Sequence, residues 1–239
     1  MTLPLTRREQ LDAVTHRSAQ PDWLLITGFV AVAAVYVRAL AFTPPEATQG
    51  AAQRILYVHA PSAFVALYVA FALMAVSSLL YLGLKDEKLD RLAESSAEVG
   101  LAFTTVVLTT GPLWGKPIWG TWWTWDARLT ATLFLWFIIL GYLVLRDAIE
   151  ERGMRARYSA VLALLAALLI PFIHLSVYLF RTMHPMPIVA KPSAPSMPPN
   201  MLITFIAAFC AFVLLYAGLV RARYRYATLR DLVADEEAR

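Results

Sequence analysis

The chain has 239 residues, of which 59% are hydrophobic and 16% charged, with a formal net charge of +4. Globular chains carry about 45–50% apolar and about 25% charged residues, so this composition excludes an ordinary soluble domain and a disordered chain alike. A single cysteine, Cys210, excludes a disulfide scaffold and any C-x-x-C or C-x-x-C-H motif.

Taken in chain order, six stretches approach the roughly 20 apolar residues that a bilayer of about 30 Å demands: 23–42, 61–84, 99–113, 129–145, 159–180 and 201–220. The third and fourth are the shortest. None shows the alternation of a membrane strand, and backbone groups in lipid must be satisfied within helices or closed barrels. The expected fold is therefore an all-α integral membrane protein with six transmembrane helices. It forms a single membrane domain, with a leader over 1–22, a bundle over 23–220 and a tail over 221–239.

Basic residues set the orientation. Of 21, fifteen fall on one side: Arg7, Arg8, Arg17, Lys85, Lys88, Arg91, Arg146, Arg152, Arg155, Arg157, Arg221, Arg223, Arg225, Arg230 and Arg239. The other side has Arg38, Arg54, Lys116, Arg128, Arg181 and Lys191. Both termini are thus placed in the cytoplasm, and the basic surplus is a topology signal with no nucleic acid implied. Ala39-Leu40-Ala41 resembles a signal-peptidase site, but Arg38 interrupts the apolar run before it and the polar leader is long. The leader is read as retained, with His16 solvated. The cytoplasmic connections, including 85–88, 146–157 and the acid-rich tail, are read chiefly as solvated charge.

No catalytic motif is present. Gly115-Lys116 is followed by Pro117 and lacks the phosphate-loop pattern, and neither H-E-x-x-H nor Gly-x-Ser-x-Gly occurs. The chain carries no ATPase of its own and is not read as an enzyme.

Three outward loops remain, over 43–60, 114–127 and 181–200. The middle one, between helices 3 and 4, holds Trp114, Trp119, Trp122, Trp123 and Trp125, five of the seven tryptophans. An interfacial aromatic belt spreads its tryptophans over many helix ends. Five in one loop, with Gly115, Pro117 and Gly120 to turn the backbone, point to a π-surface for a large planar apolar ligand. On a short interfacial helix Trp119, Trp122, Trp123 and Trp125 share mostly one face. Asp126 is placed to cap the fourth helix, and Arg128 to meet an anionic group.

The flanking loops each supply a histidine, His59 before the second helix and His184 after the fifth. Neutral imidazole ligates haem iron, which accepts an axial ligand on each face. His174 lies ten residues before His184, about 15 Å along a helix. It is assigned to hydrogen bonding inside the bundle with a carbonyl freed by Pro171. The methionines Met183, Met186, Met197 and Met201 raise copper as a minor reading, opposed by irregular spacing and the absence of a loop cysteine.

Residues 114–130, W-G-K-P-I-W-G-T-W-W-T-W-D-A-R-L-T, resemble the tryptophan-rich signature of the haem-handling superfamily of cytochrome c biogenesis. With six spans and two outward histidines, the whole chain resembles the haem exporter protein C family of the multi-protein maturation machinery. That resemblance implies b-type haem, bound non-covalently and transiently, with His59 and His184 as axial ligands. It implies a haem platform of Trp114, Gly115, Trp119, Gly120, Trp122, Trp123, Trp125 and Asp126, with Arg128 beside it. It implies a multi-pass protein of the bacterial inner membrane that presents haem at the periplasmic face to a periplasmic haem chaperone. The implied partners are an ABC-type ATPase with its membrane subunit, a very small single-span protein and membrane lipid. Arg54, Lys116, Arg128 and Arg181 are the candidates for the propionates. Where relatives often carry Trp before the second histidine, this chain has Ser176-Val177-Tyr178-Leu179-Phe180. The alternatives are a permease that carries haem across the bilayer and a structural subunit of an ABC-type complex.

Overall fold

The computed structural model describes residues 20–189 and 191–237. Arg7, Arg8, His16, Arg17 and Arg239 lie outside the described residues. Among the described residues eight α-helices follow in order: α1 (Trp23–Val37), α2 (Leu56–Phe64), α3 (Phe71–Leu84), α4 (Glu87–Trp119), α5 (Ala127–Ala148), α6 (Arg152–Ala167), α7 (Leu169–Leu179) and α8 (Pro199–Glu237). A π turn, Arg38–Phe42, extends α1; a 3-10 turn, Ala51–Ile55, opens α2; and a π turn, Val65–Ala70, joins α2 to α3. The expectation of an all-α fold holds among the described residues, whose one β-type pairing is an isolated bridge between Glu46 and Gly50.

Acidic residues start four of these helices. Asp22, Asp86, Asp126 and Glu151 each accept a backbone N–H from the first turn, at 3.1, 2.9, 2.9 and 2.7 Å respectively. Each satisfies an orphan donor and sets a negative charge against the positive end of the helix dipole. α3 ends at Lys85, whose left-handed φ of 56° reverses the chain into α4.

Among the described residues five helical runs are long and apolar enough to cross a membrane: Trp23–Phe42, Ala51–Leu84, Ala127–Ala148, Arg152–Leu179 and Pro199–Glu237. The remaining stretch expected from the sequence, 99–113, is the middle of α4. This helix is 33 residues long, about 50 Å, so the apolar stretch is only part of a longer element. α4 packs against α2, α3, α5 and α8, and a helix enclosed by helices has no need of the lipid-facing apolarity of its neighbours. Its interior face carries Ser95, Ser96, Gly100 and Thr104, all buried.

Around it lies the main core, with Val65, Phe71, Met74, Leu135, Ile139, Tyr142 and Ile173 buried. Gly100 makes room for Phe71, whose ring stands 2.7 Å from where a Cβ would project. Ser96 Oγ donates to the Ala70 carbonyl at 2.6 Å, at the end of the π turn, so the Tyr216 hydroxyl donates to Ser96 at 2.7 Å. That short chain of bonds ties three elements at the bundle centre. α1 and α8 cross in still closer contact. A Cβ at Gly28 would fall 2.6 Å from Leu215 Cα, and one at Gly218 would fall 2.6 Å from Leu25 Cα. The exterior is apolar, with Phe29, Leu79, Phe134, Val144, Leu165 and Ile203 exposed.

The charged connections match the solvated reading at Lys85, Asp86, Glu87 and Lys88, which are exposed, and differ from it where they meet the bundle. Arg146 is 3% exposed and Glu94 6%. Arg146 forks onto Asp90 at 2.7 and 2.8 Å and reaches Glu94 at 3.1 Å, while Arg230 forks onto the same Glu94 at 2.7 and 2.9 Å. Arg91 pairs with Asp231 at 3.3 Å and Arg152 with Asp235 at 2.6 Å. The tail itself is helical, continuing α8 to Glu237 and folding these charges against α4, α5 and α6. Asp22 binds Arg221 and, at 3.2 Å, Arg225. This end of the bundle is the charged end; about 30 Å along α4 from Glu94 is Trp114, at the aromatic end.

Candidate functional site at the aromatic end

His59 sits on α2 rather than in a loop. The helix begins before it because the 3-10 turn at Ala51–Ile55 nucleates the run upstream of Pro61, which is inside the helix. The π turn that follows Phe64 widens the backbone directly after this proline. His59 therefore takes its direction from a helix and faces α4. Its Nδ1 lies 3.0 Å from Thr110 Oγ1, and its ring meets Trp114 edge-on, with centroids 5.8 Å apart and planes at 69°. Gly111 leaves the ring space: a Cβ there would come within 3.3 Å of His59 Cε1. Trp114 is itself anchored, its Nε1 donating to Gln49 Oε1 at 3.0 Å.

The tryptophan segment divides at Gly120. α4 runs through Pro112 and Pro117 to Trp119, so Trp114 and Trp119 are helical. Gly120 caps the helix with φ 75°, a conformation open to glycine, and its N–H bonds the Lys116 carbonyl at 3.0 Å. Gly115 is buried, with the Trp119 ring 3.0 Å from where a Cβ would be. Gly115 thus serves packing inside a helix, and of the two glycines expected to turn the chain only Gly120 does so. Residues 121–126 are irregular, so the short helix expected to align Trp119, Trp122, Trp123 and Trp125 on one face is absent. Trp123 and Trp125 meet edge-on, at 5.8 Å and 78°, instead of forming a flat sheet of rings. Trp122 and Trp125 are 56% and 76% exposed, while Trp114, Trp119 and Trp123 are half-buried. Trp123 Nε1 is buried with no hydrogen-bond partner among the described residues. Lys116 donates to the Gly120 carbonyl at 3.0 Å and lies over the Trp122 ring, which engages it within its own turn.

Asp126 joins two parts of the site. One oxygen caps α5 through the Leu129 N–H at 2.9 Å. The other accepts from Thr124 Oγ1 at 3.3 Å and, more weakly, from the Met183 N–H at 3.4 Å, next to His184. His184 Nδ1 faces the Pro185 carbonyl at 3.0 Å. Loss of hydration around its ring, with the positive charge of Arg128 added, pushes the His184 pKa down to about 3, against the Pro185 hydrogen bond, which acts the other way; His59 also lies within electrostatic reach. The imidazole is thus neutral and has a lone pair to offer. Arg128, in the first turn of α5, has Tyr68, Asp126 and Tyr178 as electrostatic neighbours, and its carbonyl accepts from Thr132 at 2.8 Å, but no hydrogen bond or ion pair reaches its guanidinium among the described residues.

The structure therefore brings His59, His184, Arg128, Asp126 and the tryptophans to one end of the bundle. His174 adjoins this group through Tyr68 and Tyr178, which are also electrostatic neighbours of Arg128. It is exposed on α7, and its partner is the Tyr68 hydroxyl at 2.6 Å rather than a carbonyl freed by Pro171. Sequence reasoning missed Gln49, Tyr68 and Thr110. Thr110 had a detectable signal, since it stands one helical turn before Trp114; Gln49 had none. Among the described residues no three His, Cys, Asp or Glu side chains converge as a metal-holding group. What the site offers, among the described residues, is two imidazoles, exposed indoles and a guanidinium without a hydrogen-bond partner. That donor set fits a planar, apolar, anionic macrocycle with an axially ligated metal.

A family model described as "Heme exporter protein C" matches residues 4–239. The chain is 40% identical over 194 residues to Heme exporter protein C of Haemophilus influenzae, covering 80% of this chain and 78% of that protein. It is 36% identical over 212 residues to Heme exporter protein C of Bradyrhizobium diazoefficiens, covering 88% and 80%. A ccmC-like mitochondrial protein of Marchantia polymorpha, named for cytochrome c biosynthesis, is 35% identical over 187 residues, covering 78% of each.

Proposed function

The chain belongs to the Heme exporter protein C family, and from that premise we propose that it holds haem at the periplasmic face of the inner membrane and presents it to a periplasmic haem chaperone. It is a multi-pass membrane protein that handles haem in cytochrome c maturation. α4 completes the six spans as the third in chain order, and both termini are cytoplasmic, so the charged end faces the cytoplasm and the aromatic end the periplasm. An ABC-type ATPase, its membrane subunit and a very small single-span protein are the proposed partners. The chain lends no ATP hydrolysis or other catalysis of its own.

The observation that carries this reading is the convergence of His59, on α2, and His184, in the segment after α7, around Arg128, whose guanidinium has no hydrogen-bond partner among the described residues. When bound, haem supplies the iron and the reactive vinyl edge. His59 and His184 would hold the metal, bound non-covalently and transiently, and Trp122 and Trp125 would cover the macrocycle. Arg128, with Arg54 and Arg181, would meet the propionates, whereas Lys116 is occupied with Gly120. Trp114, Trp119 and Trp123 support the exposed indoles, and Gly115, Gly120 and Asp126 set the backbone that presents them. The contribution is orientation, which lowers the entropic cost of the later encounter with the chaperone.

Purified wild type loaded with haem is expected to give a bis-histidine absorption spectrum, which His59→Ala and His184→Ala each lose. A native bis-histidine spectrum in either variant would overturn the ligand assignment. The permease reading has one observation of its own: the Tyr68–His174 pair, a polar contact exposed on candidate membrane-spanning helices. Haem transport by reconstituted protein whose outer site is blocked would favour it.

A further inference from the structure

We propose that Thr110 is the positioning residue of His59, fixing the tautomer and rotation of the imidazole so that Nε2 is its ligand atom; this rests on the reading of His59 as an axial ligand. The argument follows from counting protons. A threonine hydroxyl has one hydrogen, and Thr110 Oγ1 donates it to the Val106 carbonyl at 2.7 Å, one turn back along α4. With that hydrogen spent, the oxygen can only accept from His59 Nδ1 at 3.0 Å, so the imidazole is the donor. The Val107 carbonyl, which only accepts, faces the same ring. A neutral imidazole with its proton on Nδ1 has its free lone pair on Nε2.

The same α4 turn sets the ring's rotation. Gly111 allows His59 Cε1 to close on the helix, and Trp114 meets the ring edge-on. Thr110, Gly111 and Trp114 thus hold one imidazole by a hydrogen bond, a gap and an aromatic contact. His184 reaches the same tautomer by a different route, since its Nδ1 faces the acceptor-only Pro185 carbonyl at 3.0 Å in its own segment. Both histidines present Nε2, but only His59 depends for this on another helix. A hydrogen bond from Nδ1–H makes the imidazole more basic at Nε2 and orients it toward the metal.

Thr110→Val keeps the side-chain shape and removes the acceptor. In the purified full chain titrated with ferric haem, this variant is expected to bind about 10–100-fold more weakly than wild type. Its bound haem is expected to show a higher midpoint potential, because a less basic imidazole stabilises ferric iron less. Thr110→Ser, which keeps the acceptor, is expected to restore both. Wild-type affinity and potential in Thr110→Val would overturn the proposal, as would a Thr110→Ser variant that behaves like Thr110→Val. The His59→Ala protein separates the two levels. If it keeps the bis-histidine spectrum, the axial-ligand reading falls and Thr110 falls with it. If it loses that spectrum while Thr110→Val matches wild type, only the positioning role falls.

Discussion

At the charged end of the bundle the ionisable groups pair with one another, whereas at the aromatic end, among the described residues, the Arg128 guanidinium has no hydrogen-bond partner and two large indoles, Trp122 and Trp125, are exposed. Arg146, Asp90, Glu94 and Arg230 saturate one another in a buried cluster that joins α4, α5 and α8. Arg128 occupies a comparable place, in the first turn of α5 at its other end, and has nothing to pair with among the described residues. Burying charge is costly unless it is matched, so a saturated cluster is a device for holding helices in register. An unsaturated cation beside exposed aromatic rings is a device for receiving something else. The same helix, α4, serves both ends, with acids at its start and Thr110, Gly111 and Trp114 near its finish.

The comparison breaks most visibly at Arg146. Arg146→Ala leaves Asp90 without its bidentate partner and deprives Glu94 of one of two, and is expected to cost about 3–5 kcal/mol. Unfolding in detergent measures this, and a loss below about 1 kcal/mol would mean that the cluster is effectively solvated. Gly28→Ala is next: the added Cβ meets Leu215 backbone at 2.6 Å, and the forced separation of α1 and α8 is expected to cost about 1–3 kcal/mol. An unchanged melting temperature would contradict so close a crossing. Arg128→Gln sharpens the contrast from the other side. It should leave stability within about 0.5 kcal/mol of wild type yet weaken haem binding by about 1.5 kcal/mol, or roughly tenfold, from the lost charged hydrogen bond. A marked fall in melting temperature without change in binding would make Arg128 a structural residue.

The smallest effect is expected at Asp22. The Arg221 hydrogen bond holds its carboxyl below the ordinary aspartate value, helped by the Leu25 N–H. A folded-state pKa below the unfolded one gives a contribution that is complete above about pH 4 and disappears as the pH falls through the lowered folded value. Asp22→Asn is expected to cost about 1 kcal/mol at pH 7 and to flatten stability across that acidic window. An identical pH profile in the variant would remove Asp22 from the charged end's pairing.

Much of the scaffold was legible because membrane helices announce themselves by length and apolarity. The run 23–42 coincides with the helical run in the structure, and the Asp126 cap follows from an acid just before a helical pattern. The third helix was read too short because its apolar middle was taken for its whole length. Glu94, Ser95 and Ser96 look like a water-facing segment until other helices enclose them. His59 was placed in a loop because Pro61 resembled a helix start. The upstream 3-10 turn and downstream π turn that accommodate this proline have no local signature. The tryptophans are adjacent in the chain and so gather at one end, but their arrangement was not legible, since one left-handed glycine, Gly120, turns the expected helical face into an irregular segment.

The sequence by itself determined that the chain is an all-helical membrane protein, which end gathers the aromatic residues, and which residue types are available for chemistry there. Those properties reside in local composition and order along the chain. Tertiary structure decided which charges are spent on one another and which are left free, because pairing Arg146 with Asp90 and Glu94 takes helices more than fifty residues apart. It also decided how His59 is aimed, because one hydroxyl on α4 specifies which imidazole nitrogen has the proton. Hydrogen bonds and ion pairs between distant segments have directions and distances that no linear pattern contains, and at both ends of this bundle those directions separate structure from site.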